Sequence, residues 1–470
     1  MIDGGRSRGD ARALTELANL HALGLDPALF EPRREDRFDL PYRFPYQLGL
    51  FMAVNAIPGC FVVIDGPDCI YRKAEWIHGR HDLRSTLLDA GGRHRVVSTL
   101  MHSGEVIKSE GEAVVKRLRR VAQLPEAELA LVCSMPHVQI IGTQYDALIA
   151  SVEGELPLPI YEVPSRSLES DWLGGYAEVL STLARRLAPP PEAEGLVEDE
   201  VAIIGLLMDR TEADHLGNVA ELERLVADVG LRPVSTWLSD RPLAHLRRAL
   251  TARYLLALPH GVDAARLLAR RSGATVIEVE QPFGLQATAR MLMALGEASG
   301  RERAARAVIE RELRAIVPRF EWLIPSFLAR KRVAFSGDPT LFDGLLEGLG
   351  ELGMRPLHLS APALRPEYGV RLDSDYPPTP PVLFAPGQSV VRRQLEGICA
   401  SLGLDLIIGG HELPVPKDTD PWQGSEREKI GRLHFGFPNF FCHAIHDSPF
   451  LGFQGWAWFI QEIARTIGTR

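Results

Sequence analysis

Apolar and polar positions along this chain alternate between two periods. Short runs rich in β-branched and apolar residues, "CFVVID" (60–65), "HRVVST" (94–99), "ELALVCS" (128–134) and "LPIYEVP" (158–164), predict strands. The stretches between them, at 107–122, 142–151 and 172–187, carry the spacing of amphipathic helices. The alternation then returns. "EVAIIGLLMD" (200–209) predicts a buried strand, "NVAELERLVADVGL" (218–231) a helix closed by Gly230, and "RPVSTWL" the next strand. It continues through "ARYLLALP", "AARLLARRSG", "TVIEVEQP" and "LQATARMLMALGEA". "KRVAFSGDPTLFDGLLEGLGELGMRPLHLS" (331–360) reads as strand, turn, helix, Gly and strand, and "RRQLEGICASLGLDLIIGGHE" (392–412) repeats the theme more weakly. Such alternation is the pattern of βα units around mostly parallel sheets, so the predicted fold class is α/β.

Punctuation divides the chain into three such blocks. An N-terminal extension (1–37) precedes the first (38–188), and the Pro- and Glu-rich "APPPEAEGLVEDE" (188–200) supplies a stiff, solvated linker over 189–199. The second block covers 200–299, a charged helical stretch bridges 300–330, and the third block covers 331–470. A Pro- and aromatic-rich loop, 367–387, interrupts that third block.

Composition agrees with several cores. Of the 470 residues, 46% are hydrophobic and 24% charged, enough to bury two to four domains. A net charge of -9 argues against broad contact with nucleic acid, where Lys and Arg must neutralise phosphates. Charged residues or Gly interrupt every apolar run before the eighteen or so residues that a bilayer-spanning helix needs, and the charged N-terminus has no cleavage pattern. A cytoplasmic protein, off the membrane, is expected. Five cysteines, at 60, 69, 133, 399 and 442, are odd in number and widely scattered, so each is core filler or a ligand and none is needed for a disulfide.

Ligands of open α/β sheets sit beyond the carboxyl ends of the strands. Cys69 follows the first strand after "DGPD", and Cys133 closes the strand "ELALVCS". Two thiolates at one rim would share an iron-sulfur cluster; the alternative is that a buried cysteine is simply a small hydrophobe, which the Gly-Pro turn before Cys69 argues against for that residue. "IHGRHD" (77–82) places two histidines three apart on an expected helix with Asp82 nearby, and a solvated face is the preferred reading over a metal site. "FSGDPT" resembles a phosphate turn but lacks the P-loop Lys, so a helix capped by Asp338 or Thr340 is expected. Cys399 lies in a helical pattern and reads as core, and no GxSxG or Walker A pattern is present.

A series of motifs resembles one family. "VVIDGPDC", "LVCSMPHVQIIGTQYDALI", "GGYAEVLSTL", "GNVAELERLVADVGLRPVSTWL", "VEQPFGLQATARMLMAL", "KRVAFSGDPTLFDGLLEGLGELGMRP", "LDLIIGGHE" and "SPFLGFQGWAWFIQEIA" follow, in order, the hallmarks of nitrogenase component 1 and its relatives. Those relatives include protochlorophyllide and chlorophyllide reductases, a cofactor-assembly scaffold and methylthio-alkane reductase. The resemblance covers about residues 40 to 467. It implies three Rossmann-like domains with mostly parallel sheets. It also implies a homologous partner subunit in a heterodimer or heterotetramer, and an iron-sulfur cluster held between the two first domains. An ATP-hydrolysing iron-sulfur protein would deliver electrons to that cluster for a small-molecule substrate.

By the same resemblance, Cys69 and Cys133 match two of the cluster cysteines. The family's first cysteine has no counterpart in "DLPYRFPYQLG", and Cys60, at the far end of its strand, reads as core filler. The missing thiolate would be replaced by the partner, by water or by Asp68, so a 4Fe-4S cluster is expected over an eight-iron one. In "NFFCHAIHDSPFLGFQGW" (439–456), Cys442 stands where catalytic nitrogenases carry a cofactor-binding histidine, with His443 and His446 beside it. The alternative for Cys442 is a loop residue packed between Phe441 and Ile445. The family's cofactor cysteine in the second domain is absent, and His260 lies near its expected place. A second metallocluster held by Cys442, His443 or His260 is therefore the open expectation. Substrate would bind where the loops near His260, Gln281 to Gly284 and Cys442 to His446 meet. Two other readings use the same fold: a non-catalytic scaffold for metallocluster assembly, and the structural half of a heteromer.

Overall fold

The structure is a computed structural model that describes residues 4–41, 43–101, 111–139, 142–364, 378–411, 413 and 430–468. Three sheets form, and every strand pairing within them is parallel. The first contains β1 (Cys60–Asp65), β2 (Val96–Ser98), β3 (Leu129–Ser134) and β4 (Ile160–Glu162), in the order β2-β1-β3-β4. The second contains β5 (Val197–Ile204), β6 (Arg232–Thr236), β7 (Ala252–Ala257) and β8 (Thr275–Glu278), in the order β6-β5-β7-β8. The third contains β9 (Arg332–Ser336), β10 (Arg355–Ala361), β11 (Val382–Phe384), β12 (Leu406–Gly409) and β13 (Gly431–His434), in the order β11-β10-β9-β12-β13. The α/β fold class expected from the alternating pattern is therefore the fold observed.

Why these runs are strands follows from burial. All six residues of β1 and all six of β3 are buried, as expected of a parallel sheet covered by helices on both faces. In each sheet the order reverses beside the first strand, between β1 and β3, β5 and β7, and β9 and β12. A crevice opens at the carboxyl end of each reversal, because the two flanking loops leave in opposite directions.

One hydrophobic core runs unbroken from Phe44 to Ile467 through all three sheets. The fully buried helix Tyr46–Asn55 is its hub. It crosses helix Trp172–Arg186 so closely that a β-carbon on Gly49 would collide with the Trp172 carbonyl, and one on Gly175 with the Tyr46 carbonyl. A second apolar cluster fills the other face of the first sheet, around Phe61, Val63, Val114 and Leu118. The N-terminal segment docks on the outside of the third sheet: Leu20, Leu23 and Leu25 pack with Leu357, Leu395 and Ile407, while Asp36 holds Arg393 at 2.7 and 2.9 Å.

Several local expectations need correction. The apolar run at 200–209 leaves the sheet at Ile204, because Gly205 takes a positive φ of 100° and redirects the chain. Residues 205–209 therefore form a loop at the carboxyl end of β5. The "IHGRHD" segment lies beyond the end of helix Cys69–Ala74, and it is no solvated face: His81 and Asp82 are buried. Cys442 is not packed between Phe441 and Ile445, which are themselves exposed. Asp338 caps the short turn Pro339–Leu341 by accepting the Thr340 N–H at 2.9 Å, as its sequence context suggests. Residues 107–110, 367–377 and 412 of the predicted segments lie outside the described residues.

Candidate functional site

Two regions gather chemistry-bearing side chains. The first is the rim beyond β1 and β3. Gly66 and Pro67 end β1, and helix Cys69–Ala74 starts immediately, leaving Asp68 and Cys69 exposed. Cys133 lies opposite Ile64 across the β1–β3 pairing, one residue from the end of β3. It is fully buried in the main core. Burial pushes its thiol up to about 12 despite the nearby Ser134 and Ser165. The two sequence-selected cysteines thus share a sheet end but not an environment: Cys69 is presented and Cys133 is enclosed. Cys60 is buried at the opposite end of β1, and burial holds its thiol up at about 12 as well. A cleft of about 400 Å³ beside this rim is lined by Leu40, Arg43, Phe44, Lys73 and Trp76.

The second region is a cleft of about 330 Å³. The loop after β5 supplies Asp209 and Arg210; the start of helix Ala213–Asp228 supplies Asp214 and His215; the segment after helix Cys69–Ala74 supplies His81; and the chain following β13 supplies Cys442, His443 and His446. Phe435, Phe450 and Trp458 form an aromatic wall.

The loops are tied together by buried charge. Glu212 accepts the His443 Nδ1–H at 2.8 Å and the backbone N–H groups of Ala444 at 3.0 Å and Leu83 at 3.2 Å. Asp82 accepts from Asn55 Nδ2 at 2.7 Å and from the Thr211 N–H at 2.8 Å. Arg210 forks onto Asp214, lies 3.4 Å from Glu212 and donates to the Cys442 carbonyl at 3.0 Å. The Asn439 side chain accepts the Phe441 and Cys442 N–H groups, which turns the loop and leaves the Cys442 thiol exposed. Burial pushes that thiol up, with Arg210 pulling it down and Glu462 pushing it further up.

On the floor, Asp209 Oδ1 lies 3.2 Å from His81 Nε2 and 2.8 Å from His215 Nε2. Burial opposes ionisation of Asp209, yet the two imidazoles hold its carboxyl well below the usual range. A narrower chamber of about 40 Å³ continues inward past Asp209 and His215 to Gln281, Asp338 and Phe437. His260 is buried behind it, with Nε2 2.9 Å from Asp338 Oδ2. His260 therefore meets a carboxylate beside the inner chamber and lines neither cavity. Edge-on aromatic contacts, Trp76–Phe44 at 6.0 Å, Phe44–Phe437 at 5.0 Å and Phe437–His81 at 4.9 Å, connect the Cys69 side of the molecule with this floor.

Of the sequence-selected residues, Cys442 and His443 come together at the cleft, while Cys69, Asp68 and Cys133 stand at the other rim. Sequence reading missed Asp209, Arg210, Glu212, Asp214, His215 and the buried role of His81. A signal existed: "DRTEADH" is a dense polar run that closes the apolar run 200–208, in a chain whose ligands belong beyond strand ends. Among the described residues, no three His, Cys, Asp or Glu side chains converge so as to hold a metal ion.

Three parallel sheets on one continuous core, with a cleft lined by a thiol and imidazoles, define an α/β protein. It belongs to the nitrogenase component 1 type oxidoreductase family, whose model matches residues 47–468. It is 24% identical over 380 residues to the nitrogenase iron-iron protein beta chain of Rhodobacter capsulatus, covering 74% of this chain and 77% of that one. It is 23% identical over 350 residues to the nitrogenase molybdenum-iron protein alpha chain of Methanothermobacter marburgensis, covering 72% of this chain and 67% of the relative. The solved structure of nitrogenase Cp1 at pH 6.5 superimposes with a TM-score of 0.73 at 17% identity, over 92% of this chain and 93% of that one. No described helix is long and apolar enough to cross a membrane.

Proposed function

We propose that this chain is a subunit of a nitrogenase-like two-component reductase. It pairs with a homologous subunit, receives electrons from an ATP-dependent iron-sulfur protein through an interfacial iron-sulfur cluster, and reduces a small molecule in the cleft. The observation that carries this reading is the cleft itself: in a chain of this family, an exposed thiol and a carboxylate-oriented imidazole stand together over a buried acid floor.

Cys442 and His443 are residue types that ligate iron-sulfur clusters. A ligating imidazole commonly gives one ring N–H to a carboxylate so that the other nitrogen is aimed outward. His443 does this with Glu212. Cys442 and His443 are therefore the residues that would hold a second metallocluster here, which when bound supplies electrons to the substrate. At the other rim, exposed Cys69 is the ligand this chain offers to a shared 4Fe-4S cluster, with Asp68 beside it. Cys133 joins it when assembly with the partner uncovers the end of β3.

The test is anaerobic co-purification with the homologous subunit, followed by iron and acid-labile sulfide analysis and ATP-dependent consumption of dithionite in the presence of the iron-sulfur reductase. Cys69→Ala should lower cluster iron. Cys442→Ala should leave that iron in place and abolish flux to substrate. Full iron in Cys69→Ala, or unchanged flux in Cys442→Ala, would remove the corresponding assignment. A complex that binds clusters, supports no electron flux and gives its clusters up to an acceptor would instead be an assembly scaffold.

A further inference from the structure

The charges around the 330 Å³ cleft do not balance. Asp209, Asp214 and Glu462 line it, and among the described residues Arg210 is the one Lys or Arg side chain that does. Arg210 is already given to Asp214 and to Glu212, which stands behind the wall. His81 and His215 face Asp209 at 3.2 and 2.8 Å, and a protonated imidazole there would offset that carboxylate. Burial and Arg432, which donates to the His411 carbonyl at 3.0 Å, hold His434 down at about 4, so His434 adds no charge at neutral pH. Arg210 offsets one of Asp214 and Glu212. The other, with Glu462, remains as excess negative charge in a concave, poorly solvated space, where a field is focused instead of screened.

Glu462 is the carboxylate that a ligand can reach. Its side chain is 22% exposed and pairs at 2.9 Å with Arg465, itself 66% exposed, and a surface pair of this kind is worth about 1 kcal/mol or less. Trp458 lies one turn earlier on the same helix, Gly452–Gly468, so the two side chains share a face, and both line the cleft. Trp458 is partly buried against the main core, and Phe435 and Phe450 continue the aromatic wall. An aromatic face attracts a cation within about 6 Å, Trp most strongly, and the attraction grows as water is excluded.

We propose that the cleft takes a small alkylated ammonium ion, its charge held between Glu462 and the Trp458 ring and its carbon substituents against Phe435 and Phe450. The volume sits near the lower end of the roughly 300–1,000 Å³ of ligand pockets, which sets the size. Alkylation follows from the wall: a primary ammonium brings three N–H donors, and aromatic rings offer them no lone pairs, whereas methyl groups need none. An anion would find only Arg210, already shared by two carboxylates. On the reductase reading of this cleft, on which this step rests, the alkylated ammonium ion is the substrate class.

Calorimetry on the purified full chain at pH 8, where free imidazole is largely neutral, tests the site with three probes of one shape. These are choline, its uncharged analogue 3,3-dimethylbutan-1-ol and the anion 3,3-dimethylbutanoate. Choline should bind at least ~10-fold tighter than the alcohol, and the anion should bind more weakly than either. Glu462→Gln should weaken choline by roughly fivefold and leave the alcohol unchanged. Trp458→Leu should weaken choline by a similar factor, with Trp458→Phe keeping part of the affinity, and urea unfolding checks that each variant folds. Equal binding of choline and the alcohol, or choline affinity unchanged in folded Glu462→Gln, would overturn the inference. ATP-dependent flux in the assembled complex together with no preference for choline would overturn this inference alone. A clear preference for choline in a chain whose cluster-loaded complex carries no flux would keep the cation site and overturn the reductase reading.

Discussion

The enclosure of Cys133 at the rim beyond β1 and β3 can be measured in the isolated chain. A cysteine alkylates through its thiolate. At pH 8, an ordinary thiol with the reference value of 9.0 is about 10% thiolate, whereas one raised to about 12 is about 0.01% thiolate, a thousandfold loss of the reactive form. The thiol is also fully buried within the core, so reagent reaches it only when the end of β3 opens, which lowers the rate further. Iodoacetamide labelling of the metal-free, reduced chain, read by peptide mass spectrometry, should therefore modify Cys133 at least ~1000-fold more slowly than a cysteine in a short free peptide, and only after exposed Cys69. Labelling of Cys133 within about tenfold of the free peptide would refute the enclosure. Repeating the measurement after assembly with the homologous subunit, before iron is added, then asks whether docking uncovers the thiol, as a shared cluster requires.

Two further predictions test the fold around the cleft. Replacing Gly49 or Gly175 with Ala drives a β-carbon into a carbonyl across the crossing of helices Tyr46–Asn55 and Trp172–Arg186, so each variant should lose at least ~3 kcal/mol in urea unfolding or fail to fold. A loss below about 1 kcal/mol would mean that the helices part easily. His358, fully buried between Gln394 Oε1 at 3.1 Å and Ser360 Oγ at 3.0 Å, has its basicity pushed down by burial to about 4. Its neutral form is the folded one, so protonation favours unfolding. Its share of stability is kept above about pH 6.5 and falls by about 3 kcal/mol as pH drops to about 4. A His358→Gln variant should show a correspondingly shallower acid limb between those values in urea titrations, and an unchanged limb would count against the assignment.

Much of this protein was legible from local order. Among the described residues, eleven of the thirteen strands fall in or beside the predicted apolar runs, because a strand buried on both faces must be apolar along its length; β11, inside the segment read as a loop, and the short β13 were not predicted. Cys69 was legible as a presented thiol for the same local reason: a Gly-Pro break cannot continue a strand, so the residues after it stand at the rim. Cys442 was selected by its place in a motif series, and the structure sets it at the mouth of the cleft.

What escaped the sequence depended on contacts between residues far apart in the chain. Residues 77–82 look like a solvated helix face on spacing alone. Their burial arises because Asp82 meets Asn55 and Thr211, and His81 meets Asp209 and Asn439, across as many as 358 positions of chain. Cys133 and Cys69 look equivalent in one dimension, and only the packing on β3 separates an enclosed thiol from an exposed one. Periodicity and composition report how each segment prefers to fold and which face it hides. Proximity, burial and the balance of charge at the cleft are sums over three sheets brought together, and no single stretch of sequence contains them.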